Sequence, residues 1–386
     1  MDFTFNQEQL AFRDALKEML AAEITPETIR NRWLSDDGFD DAAWQRFVEM
    51  GLTGFFVPES LGGIDLDEVD FILLAEVCGY YAVPEPIVDT TLVSSQLIKS
   101  VLELNSSFSS RGESLLRDIA DGSCIAMAGH MINPFKNFAH KADWFLLPHG
   151  EEVHLLASSE VELTSVNSLD PSRRLSKLEW MPTATSKLVD GEQGAIVWRA
   201  ALNRGALGSA AQLLGLAQAM IDMTVAYSRD REQFGKPIGS NQAVKHLLAD
   251  CAVKIEFAKA VVYRAAYAAS VDPNRGNCAV SHAKVAAAEA ALLSARNCTQ
   301  AHGAMGYTWE CDLQIWSKRS WALDKVWGDA GFHKNRIHEW LLNPRALLGA
   351  EYTFGATSHS FDLSPESQIK TSSATIVGSA SNEVYS

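Results

Sequence analysis

Long apolar seams in the second half of the chain limit the fold most. Leu207, Ala210, Leu214, Ala217, Ile221 and Val225 recur at three- and four-residue spacing. So do Val244, Leu247, Cys251, Ile255, Ala258 and Val262, and then Val285, Ala288, Leu292 and Ala295. At 3.6 residues per turn each set falls on one helix face, which must be buried against another helix. A fourth candidate helix runs from about Cys311 to Trp327, and a shorter one from Ala330 to Leu342. Short connections between such helices predict an antiparallel four-helix bundle over 201–345.

Ahead of the bundle, residues 1–120 also read as helical. Leu10, Leu16, Met19 and Leu20 form one stripe, and Trp44, Phe47, Val48 and Leu52 another. Asp65 or Asp67 is placed to cap a helix ending near Gly79. Residues 121–200 differ. ADWFLLP, EEVHLLAS and LSKLEWMP are short apolar or alternating runs parted by Gly, Asp, Pro and Ser, which is the pattern of strands. The expected fold is therefore mostly α with a small central β domain. The tail, 346–386, is rich in Ser and Thr without periodicity, and is expected to be flexible or to lie over a neighbouring subunit.

The 386 residues carry a net charge of -15, a sign that argues against nucleic acid and anionic membrane as partners. No apolar run reaches bilayer length, and the acidic N-terminus does not read as a signal peptide. Six scattered cysteines without a C-x-x-C pair read as free thiols of a cytoplasmic protein. No H-E-x-x-H or similar spacing is present, so no metal is expected.

The stretch SRDREQFGKPIG, Ser228 to Gly239, breaks the apolar pattern abruptly. Cations at a helix C-terminus offset the negative end of its dipole, which accounts for Arg229 and Arg231 but not for Phe234. A planar guanidinium holds two phosphate oxygens at once, and an adjacent ring offers a face for a flat group. The alternative readings are an ordinary helix stop and an anion clamp.

That stretch, with AHGAMGYTWECDLQIWSKRS (Ala301 to Ser320) and GLTGFFVPESLGG (Gly51 to Gly63), resembles the acyl-CoA dehydrogenase family over about residues 1–345. The resemblance implies FAD as cofactor, an acyl-CoA thioester as substrate and electron-transfer flavoprotein as acceptor. It implies that Arg231, Gln233 and Phe234 contact the FAD of a partner subunit. Gln300, Gly303 and Ala304 match the family's Gln-x-x-Gly-Gly segment, with Ala304 in place of a glycine, and Gln242 is a further contact. His302 is read as structural.

Two departures stand out. CIAMAGHMINPFKNFAHKADWFLLP lacks the Thr-Glu-Pro and Gly-Ser-Asp segments with which the family holds its flavin ring. The family's loop base falls on Trp327, and its alternative base position near Gly205 and Ala206 has only Asn203, Arg204, Ser209 and Gln212 as polar neighbours. An amide is no base near neutral pH. Glu310 and Asp329 are the remaining carboxylate candidates, so the catalytic residue stays unassigned. By resemblance to heteromeric members that act on steroid side-chain CoA thioesters, the chain is expected to be a companion subunit. It would complete the FAD site of a second acyl-CoA dehydrogenase subunit in an α2β2 heterotetramer. A self-sufficient homomeric enzyme and a non-enzymatic scaffold of the same fold are the alternatives.

Overall fold

The computed structural model describes residues 4–131, 133–272, 277–344 and 346. The tail beyond 346 lies outside the described residues. The N-terminal part contains α1 (Gln7–Glu23), α2 (Pro26–Leu34), α3 (Asp41–Glu49), α4 (Glu68–Tyr80), α5 (Gln96–Leu104) and α6 (Ser109–Ala120). Asp67 caps α4, its carboxylate accepting from the Val69 and Asp70 amides. Asp65 instead pairs with Lys99 at 2.6 Å. Ahead of α5, Asp89–Ser95 forms a π-helical turn. The run DTTLVSS is β-branched and unremarkable as helix in the sequence, yet Thr90 to Ser95 are all buried.

Seven strands follow: β1 (Ala126–Ala128), β2 (Phe135–Asn137), β3 (Trp144–His149), β4 (Glu152–Ala157), β5 (Glu162–Ser165), β6 (Leu175–Glu179) and β7 (Lys187–Val189). One sheet has the order β1-β3-β4-β7 and the other β2-β6-β5. β1 runs parallel to β3, with Ala126 opposite Trp144, and the remaining pairs are antiparallel.

The helical remainder opens with α7 (Gly191–Asp230), which has 40 residues. A short hairpin of β8 (Glu232–Gln233) and β9 (Lys236–Pro237) leads to α8 (Gln242–Val271), α9 (Asn277–His302), α10 (Leu313–Lys325) and α11 (Ala330–Leu342). The predicted seams are buried: Leu207, Ala210, Leu214 and Ala217 on α7, Cys251, Ile255, Ala258 and Val262 on α8, Val285, Ala288 and Ala295 on α9. One boundary is corrected. The stretch to residue 200 reads as strand and turn, but helix begins at Gly191. This glycine makes the turn with φ +59, and Glu192 and Gln193 then start α7 directly.

The N-terminal helices dock on α7 through glycine. A Cβ on Gly215 would stand 1.9 Å from the Glu76 carbonyl oxygen, and one on Gly79 2.1 Å from that of Gln212. The α4 and α7 backbones therefore touch, and neither position admits a side chain.

Candidate functional site

Two groups of functional candidates lie on opposite halves of α7. The first is at its C-terminal end. Arg231 is the C-cap, and Phe234 sits at the tip of the β8–β9 hairpin with φ +55 and its ring 99% exposed. Gln233 is also exposed, its amide donating to the Glu232 carbonyl at 2.7 Å. Among the described residues no carboxylate pairs with the Arg231 guanidinium.

The end of α9 is tied to the same corner. The His302 ring stacks on Tyr227 with centroids 4.2 Å apart and planes at 18°, and its Nδ1–H donates to the Cys298 carbonyl at 2.8 Å. Burial holds this imidazole neutral by lowering its pKa. Gln300, Gly303 and Ala304 are exposed beside it, and Gln242 is exposed on the first turn of α8. The structure thus brings the proposed FAD contacts to one end of the bundle, with cation, aromatic ring and amides all facing solvent. Their chemistry fits a pyrophosphate and a flat nucleotide base.

The second group surrounds Trp327, in the loop between α10 and α11. This residue has φ +58 and is buried at 3% exposure. Its Nε1–H donates to Asp89 Oδ1 at 2.8 Å, at the start of the π-helical turn. The other Asp89 oxygen pairs with Lys136 Nζ at 2.8 Å, and that ammonium lies 5.1 Å from the indole centroid. The ring fills the space over Gly205, where a Cβ would meet indole Cδ2 at 2.1 Å. Trp327 and Gly205, the two positions to which the resemblance assigns the base, therefore face each other, one as indole and the other as bare backbone.

The loop backbone is held from behind. Lys284, fully buried, donates to the Leu323 and Val326 carbonyls. His333 Nε2 lies 3.0 Å from the Trp327 carbonyl and its Nδ1 3.1 Å from Ser281 Oγ. A carbonyl only accepts, so Nε2 carries the proton and Ser281 donates to Nδ1. Burial drives the His333 pKa down to about 3, so the ring is neutral.

Three of the four polar neighbours of Gly205 have partners of their own, and the fourth, Gln212, lines the adjacent cavity. Arg204 is in a buried ion pair with Glu68 at 2.7 Å. Asn203 accepts from Arg336 and donates to Asn277, and Ser209 donates to the Gly205 carbonyl. The cavity bordering Gly205, Ser209, Glu85 and Arg319 measures about 40 Å³. That admits a few waters and no acyl chain.

The two carboxylate candidates lie at opposite ends of α10. Asp329 caps α11, accepting from the Phe332 amide at 2.9 Å, and that bond lowers its pKa. Glu310 is exposed at the far end of α10, a helix about 20 Å long at 1.5 Å per residue. Its pKa is lowered by its own backbone amide and by Thr308. Asp89, Lys136, Lys284 and His333 went unnoticed in the sequence, where nothing local marks them as neighbours of Trp327.

Behind the Trp327 loop an open groove of about 540 Å³ is lined by His130, Trp198, Arg199, Phe332, Arg336 and Trp340, among others. Arg336 is anchored there by Asn203 and Asn277, at 2.7 and 2.9 Å.

Helices on both sides of a split β layer, with an exposed Arg-x-x-Phe-Gly hairpin at the bundle corner, define the acyl-CoA dehydrogenase fold. Among solved structures, the ChsE4-ChsE5 complex from Mycobacterium tuberculosis aligns with a TM-score of 0.78 at 23% identity, covering 89% of this chain and 99% of that one. Butyryl-CoA dehydrogenase from Megasphaera elsdenii aligns at 0.77 and 19% identity, covering 89% and 100%. Residues 6–103 match the family pattern "Acyl-CoA dehydrogenase, N-terminal domain" and residues 192–342 "Acyl-CoA dehydrogenase, C-terminal domain". Acyl-CoA dehydrogenase IpdE2 of Mycolicibacterium smegmatis is 32% identical over 80% of this chain and 92% of its own length. IpdE2 of Mycobacterium tuberculosis is 29% identical over 81% and 91%. The chain belongs to the acyl-CoA dehydrogenase family. None of its described helices is long and apolar enough to cross a membrane.

Proposed function

We propose that this chain is the companion subunit of a two-subunit, FAD-dependent acyl-CoA dehydrogenase, assembled as α2β2 in the cytoplasm. Its role is to complete the FAD site of a catalytic partner. The observation that carries this reading is the seating of Trp327 on Gly205, which puts an indole and bare backbone, rather than a carboxylate side chain, at the two positions to which the resemblance assigns the base. FAD, when bound, accepts the substrate β hydride while a base takes the α proton. Here the base belongs to the partner.

This chain's own contribution lies at the other end of α7. From Gly205 to Asp230 the helix rises about 37 Å at 1.5 Å per residue, farther than one dinucleotide reaches. A cofactor held by Arg231, Phe234, Gln300 and Gly303 is therefore not the one that would face Trp327. Arg231 would grip the pyrophosphate, Phe234 and Gln233 would border the adenosine half, and the exposed backbone at Gly303 and Ala304 would line it, with Gln242 nearby.

The relatives support one substrate class. IpdE2 is an acyl-CoA dehydrogenase, and one structural neighbour is the Tcur3481-Tcur3483 steroid ACAD, a two-component protein by its name. A bulky steroid-derived acyl thioester fits that company, with electron-transfer flavoprotein as the electron acceptor.

A second reading rests on the groove lined by Arg199, Arg336, Trp198 and Trp340, whose cations and rings suit an anionic planar ligand. In that reading the chain binds a flavin of its own. One experiment separates the two. The purified chain alone should be colourless, and co-expression with its partner should give yellow protein with about one FAD per two chains. A yellow, thioester-oxidising chain on its own would overturn the companion role.

A further inference from the structure

We propose that His149, Glu152 and His154 form a binding site for a divalent first-row transition metal ion, with Zn²⁺ as the best match. The three residues sit on the β3–β4 hairpin, away from Trp327 and from the Arg231 corner. His149 and Glu152 are directly paired across the ladder, and His154 follows Glu152 by two residues on the same face. The turn between them is set by Gly150 with φ +60.

The donor atoms converge without rearrangement. His149 Nδ1 lies 3.7 Å from Glu152 Oε2, His154 Nε2 lies 3.1 Å from the same oxygen, and all three lie within 4.8 Å of one another. Ligands bonded to tetrahedral zinc at about 2.0–2.1 Å are separated by roughly 3.3–3.4 Å, so two of the three edges are already near their bound lengths. Among the described residues this is the one such group. Two imidazoles and one carboxylate are a recurrent donor set for zinc, copper and nickel.

The surrounding contacts orient each donor. His154 is 1% exposed, and its other nitrogen, Nδ1, lies 2.9 Å from Ser186 Oγ. A metal on Nε2 requires the proton on Nδ1, and the Ser186 oxygen can accept it. Glu152 Oε1 receives Lys187 Nζ at 3.2 Å, leaving Oε2 for the ion. That ammonium would repel a cation, but Asp190 pairs with it at 2.6 Å, so the cluster of Glu152, Asp190 and Lys187 stays net negative. The Trp180 ring packs against both histidines, with centroids 5.3 Å from His154 and 6.3 Å from His149. His149 is largely exposed, so the ion would keep a solvent-facing position.

The sequence reading of no metal rested on helix spacing. H-x-x-E-x-H fails that pattern because its residues meet across a two-stranded turn.

Calorimetric titration of EDTA-stripped full-length protein with ZnCl2 tests the assignment. One saturable equivalent per chain is expected, with affinity lowered at least about 100-fold in His149→Ala and in Glu152→Gln, and about 10-fold in Ser186→Ala. Zn²⁺ should also raise the melting temperature of the wild type and leave that of His149→Ala unmoved. His149 is exposed, so this variant should fold normally. No saturable uptake by the wild type, or equal uptake by His149→Ala, overturns the site. Parallel titrations with NiCl2 and CuCl2 rank the ions. None of these outcomes depends on the companion-subunit role.

Discussion

The indole of Trp327 occupies the space that any side chain at Gly205 would need, because a Cβ there would stand 2.1 Å from Cδ2. Gly205→Ala should therefore destabilise the fold by about 1–3 kcal/mol through forced displacement of the ring. Adding Trp327→Ala to that variant should cost less than the sum of the two single changes. A double-mutant cycle on thermal or urea unfolding measures the coupling, and strict additivity would mean the two residues do not share that space.

Trp327→Phe keeps a ring over Gly205 but removes the donor to Asp89. The partly buried Asp89 carboxylate then retains Lys136 on its other oxygen. A loss of about 1–3 kcal/mol is expected from the unsatisfied acceptor. Urea midpoints of the two proteins check this, with an unchanged midpoint counting against the bond.

Arg231→Ala should leave the melting temperature of the isolated chain unchanged, since the guanidinium is exposed and, among the described residues, pairs with no carboxylate. In the co-expressed complex the same change should weaken FAD retention by about 2–5 kcal/mol if the contact is desolvated there. Flavin content after gel filtration gives the answer. Full retention would remove Arg231 from the cofactor site.

The neutral His333 sets a pH dependence. Its folded pKa, about 3, lies below the ordinary value of 6.5, so the unfolded chain binds the proton more readily. The contribution is complete above pH 6.5 and is lost as pH falls towards 3. Wild type should therefore lose stability relative to His333→Gln between pH 6.5 and 4, read from paired thermal melts. Parallel curves would show that His333 does not titrate in this window.

What the sequence revealed depended on whether the signal was local. The α11 helix was read as Ala330 to Leu342, the bounds it has in the structure, and the α7 seam carried its own period. The α7 start was misplaced because Gly191 looks the same whether it ends a strand or opens a helix. Counting along the chain put Trp327 at the base position, but its contact with Gly205 comes from packing of distant segments. Asp89 was invisible for the same reason, and the π-helical turn that aims it has no periodic signature. The helix stop after Arg231 was legible because Gly235 and Pro237 follow within six residues, whereas the short β8–β9 pairing was not.

That wide turn at Asp89–Ser95 makes the arrangement sensitive to chain length. Removing a single residue from it would restore ordinary winding and rotate the preceding residues by about 100°. Asp89 would swing away from indole and ammonium together. A one-codon deletion in that turn is thus expected to break the Asp89 contacts with Trp327 and Lys136 together, while leaving every side chain of the lock in the sequence.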